Sequence, residues 1–251
     1  MLLDWGDFPF NKTPLICLHG GPGIGCAEST HFRDKKGDHE FWTPQLFMAE
    51  LDDLKTHVGI GAFDLLGQSW GGMLAGQYAI EKQPKGLREL IIADSPENEL
   101  PKELRETLER CERDDKTDTP EYEEAVMYFY RLHICRLEPW LKELEDSFAE
   151  LEEDNTVYYT MNGPSEFYVI GNLKDWNIAE GLKKITEKTA PGGVLVVNGY
   201  YDEAQDETTE TYWKHPSART KWIRYPLSSH MPMLEETERF LADLGRFLKS
   251  E

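Results

Sequence analysis

One short run constrains this chain more than any other: Gly67-Gln68-Ser69-Trp70-Gly71-Gly72. The residues before it, Phe63-Asp64-Leu65-Leu66, read as a buried strand, and those after it, Met73-Leu74-Ala75-Gly76, as a helix of small residues. A G-x-S-x-G run at such a junction calls for a turn so tight that the serine takes a strained backbone conformation. Glycines two residues to either side let neighbouring backbone come close without a clash. The strand must therefore lie inside a sheet and feed straight into a helix packed against it.

The rest of the chain supplies the same alternation. Short β-branched or aliphatic runs at residues 14–18, 63–66, 90–93, 194–198 and 221–225 predict five strands. Several are apolar on both alternating faces, as strands covered by helices on both sides are. Helical spacing falls between them, with Phe41, Leu46, Phe47, Leu51 and Leu54 in 41–57, the segment 72–82, and Leu234, Leu241, Leu244 and Leu248 on one stripe of 233–249. This order predicts an α/β fold with a mostly parallel sheet. From Ser95 to about Lys188 strand signals nearly vanish. Leu100, Leu104, Leu108 and Cys111 share a helical face, 128–140 and 141–151 predict two further helices, and Tyr128, Phe129 and Leu132 form an aromatic stripe expected in their core. We read 1–95 and 189–251 as two parts of one sheet domain, with 96–188 inserted between them as a helical lid, the usual cover of a site at a sheet end.

At 251 residues the chain suits one such domain with its insertion, and 39% hydrophobic residues supply a core. Lys and Arg number 27 against 47 Asp and Glu, a formal charge of −20, which argues against nucleic acid and anionic membrane surfaces as partners. Much of that charge lies in helical segments such as 99–115, where a solvated face is the ordinary reading. The cysteines Cys17, Cys26, Cys111 and Cys135 form no C-x-x-C pair and no zinc spacing, so they read as reduced thiols of a cytoplasmic protein, with Cys17 as a small core residue of its strand. No apolar stretch approaches a membrane span, and Met1-Leu2-Leu3-Asp4-Trp5 lacks the basic-then-apolar order of a secretory signal.

A serine hydroxyl becomes a nucleophile only with a base, and the base needs an acid to orient it. His230 lies between the last strand and the final helix, in Ser228-Ser229-His230-Met231-Pro232, where such a base belongs; the other histidines fall in helices, too early in the chain, or in a polar loop. For the acid, the strand at 194–198 ends in a turn and Asp202 emerges first from it, with Glu203 and Asp206 as neighbours that compete for the role. His19-Gly20-Gly21-Pro22-Gly23 follows the first strand, and its glycines let backbone amides turn toward a developing oxyanion. The amides of Gly21 and Trp70 are the expected donors. No metal or organic cofactor is implied.

Five runs together resemble one family, the proline iminopeptidases (prolyl aminopeptidases) and their amino-acid amidase relatives, serine peptidases of α/β-hydrolase fold. They are HGGPG at 19–23, GQSWGG at 67–72, MNGPSEF at 161–167, GYYDEAQD at 199–206 and SSHMP at 228–232. The resemblance implies release of an unblocked N-terminal residue, often proline, from a peptide or amide. It also implies that Glu166 and Glu203 bind the substrate's free α-ammonium. An ammonium taken out of water needs a carboxylate partner, and such a pair also rejects blocked N-termini. An esterase or amidase of other small substrates, and a truncated, catalytically silent relative, are the alternative readings.

The chain also departs from the family's pattern. Gly23 runs straight into Ile24-Gly25-Cys26-Ala27-Glu28-Ser29-Thr30, where the family has a helix and a strand first, roughly 25–30 residues in all. Compared with the family it resembles, the chain also reads as lacking the strands expected before Pro14 and as having a shorter first part of the lid after Ser95. The strand Leu15–Leu18 then becomes an unprotected apolar edge open to self-association. The oxyanion loop hangs from that edge, so Gly21 is the element most exposed to displacement.

Overall fold

The computed structural model describes residues 13–23, 32–95, 110–111, 113–114, 116, 119–165 and 169–248. Five strands form one sheet in chain order: β1 (Leu15–Leu18), β2 (Phe63–Gln68), β3 (Leu87–Ala93), β4 (Gly193–Gly199) and β5 (Thr220–Tyr225). Every neighbouring pair is parallel, with Cys17 opposite Leu66, Leu66 opposite Ile91, Ile91 opposite Leu195, and Val197 opposite Ile223. All five predicted strands are present within a few residues of their expected bounds. A parallel sheet in simple sequential order brings the C-terminal ends of all its strands to one rim, where ligands of such sheets gather.

Both faces of the sheet are covered. On one side lie α1 (Pro44–Val58), α2 (Trp70–Lys82) and α6 (Asp206–Lys214), burying Phe63, Leu65, Leu90, Val194 and Val196 with Met48, Leu51, Leu74, Tyr78 and Tyr212. On the other side α8 (Thr237–Phe247) buries Phe240, Leu244 and Phe247 against Leu66, Ile91, Leu195 and Val197. Central strands β2 and β4 are buried along their whole length, which fits the apolar residues on both of their faces, Leu65 and Leu66 in β2 and Val194, Leu195, Val196 and Val197 in β4. Local signals set the helix bounds. In α1 the Thr43 hydroxyl accepts from Leu46 N–H at 3.3 Å, Pro44 opens the first turn, and Gly59 closes the last at a φ of 74°.

Between β3 and β4 the described residues form helices and loops: α3 (Pro120–Phe129), a π-helical turn (Tyr130–Ile134), α4 (Lys142–Glu153), α5 (Thr156–Met161) and a 3₁₀ helix (Ala179–Lys184). A short α7 (Pro232–Glu235) precedes α8. The stripe Leu100, Leu104, Leu108 lies outside the described residues.

Four expectations need correction. Cys17 is exposed rather than core, because among the described residues β1 pairs with β2 alone and stands at the edge of the sheet. The helix expected over 128–140 stops at Ile134, where Cys135 turns extended at a φ of −150°, and the following stretch holds Pro139, which cannot donate a helical hydrogen bond. Tyr128 is 61% exposed while Phe129 is 1% exposed, so the aromatic stripe points inward through Phe129. The C-terminal stripe is likewise rotated, with Leu241 59% exposed and Phe240 buried in its place. An aromatic ring covers more of the sheet than leucine does, and it took the inner position.

Candidate active site

Ser69 sits where β2 ends and α2 begins, at φ 53° and ψ −122°, a conformation that non-glycine residues adopt only when their surroundings enforce it. The glycines around it are a packing requirement. A Cβ on Gly67 would lie 2.1 Å from the Gly71 carbonyl oxygen, and one on Gly71 would lie 2.3 Å from the Leu18 carbonyl oxygen. A Cβ on Gly72 would lie 1.8 Å from Ser95 Oγ. The Ser69 N–H donates to Ala93 O at 2.8 Å, continuing the ladder of β3, while its carbonyl accepts from Gly72 and Met73 and starts the helix. The serine is thus fixed by the sheet on one side and the helix on the other.

His230 and Asp202 come together across two loops, one after β5 and one after β4. Both are 4% exposed, and His230 Nδ1 lies 2.7 Å from Asp202 Oδ1. With Nδ1–H donating to the carboxylate, Nε2 is left as the basic nitrogen. The same Oδ1 accepts the Ala204 amide at 2.9 Å, which holds the carboxylate in its turn. Asp206 is engaged elsewhere, accepting from Asn198 Nδ2 at 3.1 Å and pairing with Arg224 at 3.0 Å. Glu203 is 7% exposed and its Oε1 is 3.7 Å from His230 Nε2, so a carboxylate lies next to the imidazole's outer nitrogen.

The histidine loop is held by groups that no motif advertised. Glu235 accepts Ser229 N–H at 2.8 Å and Met231 N–H at 3.3 Å, one on each side of His230, and also the Arg136 N–H at 2.8 Å from the inserted segment. His133, in the π-helical turn, accepts the His230 N–H on its carbonyl at 3.2 Å, and its own Nδ1–H donates to Tyr201 O at 2.8 Å. Gln68 Nε2 donates to His230 O at 3.1 Å, tying the residue before Ser69 to the histidine. Gly199 lets the loop settle on β4, since a Cβ there would lie 2.1 Å from Ser229 O. A lone carboxylate ending a four-residue helix and a histidine acting through its backbone carbonyl carry no periodic signal, which is why Glu235 and His133 do not stand out in the sequence.

The glycine loop after β1 packs against the serine turn. A Cβ on Gly20 would be 2.2 Å from Gln68 Oε1 and 3.1 Å from Ser69 Cβ, so any larger residue here forces the Gln68 amide or the loop to shift. Gly21 and Gly23 take φ values of 57° and 82°, and Gly23 also abuts Val157 of α5. Trp70 is buried, its ring edge-on to Phe47 at 6.0 Å between centroids. Glu166 lies outside the described residues.

A parallel sheet carrying a strained serine turn, with a buried acid–histidine pair at the same rim, defines an α/β hydrolase, and the family model described as "alpha/beta hydrolase fold" matches residues 24–237. Relatives narrow this. The proline iminopeptidase of Heyndrickxia coagulans is 32% identical over 277 aligned positions, covering 95% of this chain and 91% of that protein. The crystal structure of proline iminopeptidase from Mycobacterium smegmatis is 36% identical with a TM-score of 0.79, covering 95% of this chain and 89% of that one. The crystal structure of VinJ is 35% identical with a TM-score of 0.84, covering 98% and 93%. The chain belongs to the proline iminopeptidase family of α/β hydrolases.

Proposed function

We propose that this protein is a serine aminopeptidase that releases an unblocked N-terminal residue of proline type from small peptides or amides. The observation that carries the reading is the buried hydrogen bond from His230 to Asp202 at 2.7 Å, in a chain whose β2 ends in the strained Ser69 turn. Ser69 attacks the carbonyl of the N-terminal residue while His230 Nε2 takes the hydroxyl proton. Asp202 orients the imidazole and stabilises the imidazolium that forms. The Gly21 and Trp70 amides hold the oxyanion, His230 then protonates the leaving amine, and water releases the acyl group. Glu203, beside Nε2, is suited to pair with the substrate's α-ammonium, with Glu166 as its assigned partner. The inserted residues 96–188 act as the lid over this rim, joined to the histidine loop through Arg136 and His133. A cytoplasmic setting is part of this reading, supported by cysteines whose spacing in the sequence suggests no disulfide framework.

The test is twofold. A prolyl anilide with a free amine is expected to be hydrolysed and its N-acetyl form refused, and a fluorophosphonate is expected to label wild type but not Ser69→Ala. On the scale of serine-hydrolase nucleophiles the substitution lowers kcat by on the order of 10⁶. Preference for the acetylated substrate, or for simple esters, sinks the aminopeptidase reading. An unlabelled Ser69 in folded protein sinks the serine mechanism itself.

A further inference from the structure

Asp94 is a buried acid that the chemistry above leaves unused. It follows β3 directly, is 0% exposed and holds a φ of 51°, a region where Asp and Asn are among the few non-glycine residues found. Its N–H donates to Val197 O at 2.8 Å, so it stands beside the end of β4, from which the Asp202 turn departs. Among the described residues neither oxygen of Asp94, nor Oδ2 of Asp202, has a donor in hydrogen-bond geometry. Three groups face Asp94: the Asp202 carboxyl, within hydrogen-bonding reach; the Gly199 amide, short of that geometry; and Glu235 further off. From the far side Asp202 meets His230 and Ala204, with Glu203 beyond the imidazole.

Two carboxyls in contact and away from water cannot both carry charge, so one keeps a proton. Asp202 accepts from His230 and from Ala204, and both bonds favour its ionised form. Asp94 has no comparable donor. We propose that Asp94 is a positioning residue: it stays protonated and donates its O–H to Asp202 Oδ2, setting the carboxylate plane so that Oδ1 faces His230. Burial pushes the Asp94 carboxyl well above the usual carboxylate range, and the negative charge of Asp202 and the hydrogen bond to it push the same way. The Asp94 proton stays in place throughout turnover, and the proton that moves is that of Ser69, to His230 Nε2 and on to the leaving amine.

The inference rests on the triad reading, so the test has one arm that does not depend on activity. Infrared difference spectra of aspartate-labelled full-length protein near neutral pH are expected to show a neutral carboxyl band that disappears in Asp94→Asn. Asp94→Gly removes the donor at a φ where glycine is unstrained. It is expected to slow fluorophosphonate labelling of Ser69 about tenfold, the scale of one charge-assisted hydrogen bond. It also moves the acid limb of labelling to higher pH, because an unsupported Asp202 carboxylate holds the imidazolium proton more tightly. Asn, whose amide donates to the same oxygen, restores both. Absence of the neutral carboxyl band overturns the proposal, as does equal loss in Asn and Gly variants or a Gly variant that labels at the wild-type rate. Should the Gly variant fail to fold, the band and the Asn variant decide. If wild type itself does not label, the serine mechanism falls while the band still reports where the proton sits.

Discussion

Glu235→Ala tests most directly how the histidine is held. The Glu235 carboxylate is the common acceptor for Ser229 N–H at 2.8 Å, Met231 N–H at 3.3 Å and Arg136 N–H at 2.8 Å, with the Ser229 hydroxyl 3.0 Å away. Ser229 is 0% exposed, so water cannot replace its lost acceptor, and an orphaned buried donor costs about 1–3 kcal/mol. Arg136 is exposed and rebinds water, while the Met231 bond is long and weak. The sum is about 2–4 kcal/mol, a substantial part of the roughly 5–15 kcal/mol that holds a domain together. His230 lies between the two released amides, and a shift of about 1 Å in a catalytic group costs about 10²-fold in rate. The expected result is a kcat about 10²-fold lower with little change in KM, together with a lower urea midpoint. Glu235→Gln is the control. With its carbonyl oxygen toward Ser229 and Met231 it keeps the clamp and loses the Arg136 bond alone, so it recovers most of the turnover. Anilide hydrolysis and urea unfolding measure both. Turnover within about threefold of wild type in a folded Glu235→Ala protein refutes the view that this carboxylate positions the histidine.

Asp94 also makes a stability prediction whose sign is fixed. An acid whose folded pKa is raised binds its proton more tightly in the folded state, so its contribution is full below the unfolded value near 3.9 and is lost as pH rises toward the folded one. Relative to Asp94→Asn, wild type is expected to lose about 1.4 kcal/mol per pH unit across that window, read from urea midpoints at several pH values. A difference that stays flat with pH contradicts it. Glu203→Gln is expected to raise KM for a free-amino prolyl anilide by about 10–100-fold while leaving kcat less affected, the loss of one desolvated ion pair. An unchanged KM removes Glu203 from substrate binding. Gly20→Ala places a methyl 2.2 Å from Gln68 Oε1 and 3.1 Å from Ser69 Cβ, so either the Gln68 amide that donates to His230 O or the glycine loop beside Ser69 has to shift. On the proposed mechanism, disturbance of the oxyanion loop is expected to lower kcat by about 10²–10³-fold at a nearly unchanged unfolding midpoint, and an unchanged kcat counts against the loop's role.

Much of this architecture was legible in advance because it rests on local periodicity. The buried strands β2, β3 and β4 announce themselves through short apolar stretches, Leu65-Leu66, Leu90-Ile91-Ile92-Ala93 and Val194-Leu195-Val196-Val197, and Gly67-x-Ser69-x-Gly71 marks a junction at which such a turn closes. Position in chain order then put His230 and Asp202 at loops of the same sheet rim. The errors share a cause. The sequence showed which face of a helix is apolar, but not that Phe240 would displace Leu241 inward, or that Tyr128 would be left outside while Phe129 turned in. Those choices depend on the shape of the surface opposite.

Sequence by itself determined that a serine stands in a tight turn between a parallel strand and a helix, with an acid and a histidine following in the right order. Hydrophobic period and glycine placement are local properties, and they survive without knowledge of neighbours. Tertiary structure alone decided which carboxylate faces the histidine, because Asp202 and Asp206 are four residues apart and differ only in what surrounds them: Asp206 is drawn to Asn198 and Arg224, Asp202 to His230. It alone brought Glu235 under the histidine loop, and Asp94, 108 positions earlier in the chain than Asp202, against the back of the acid. Burial, hydrogen bonding and charge at these positions are sums over residues distant in sequence, and they exist only once the sheet has brought those residues together.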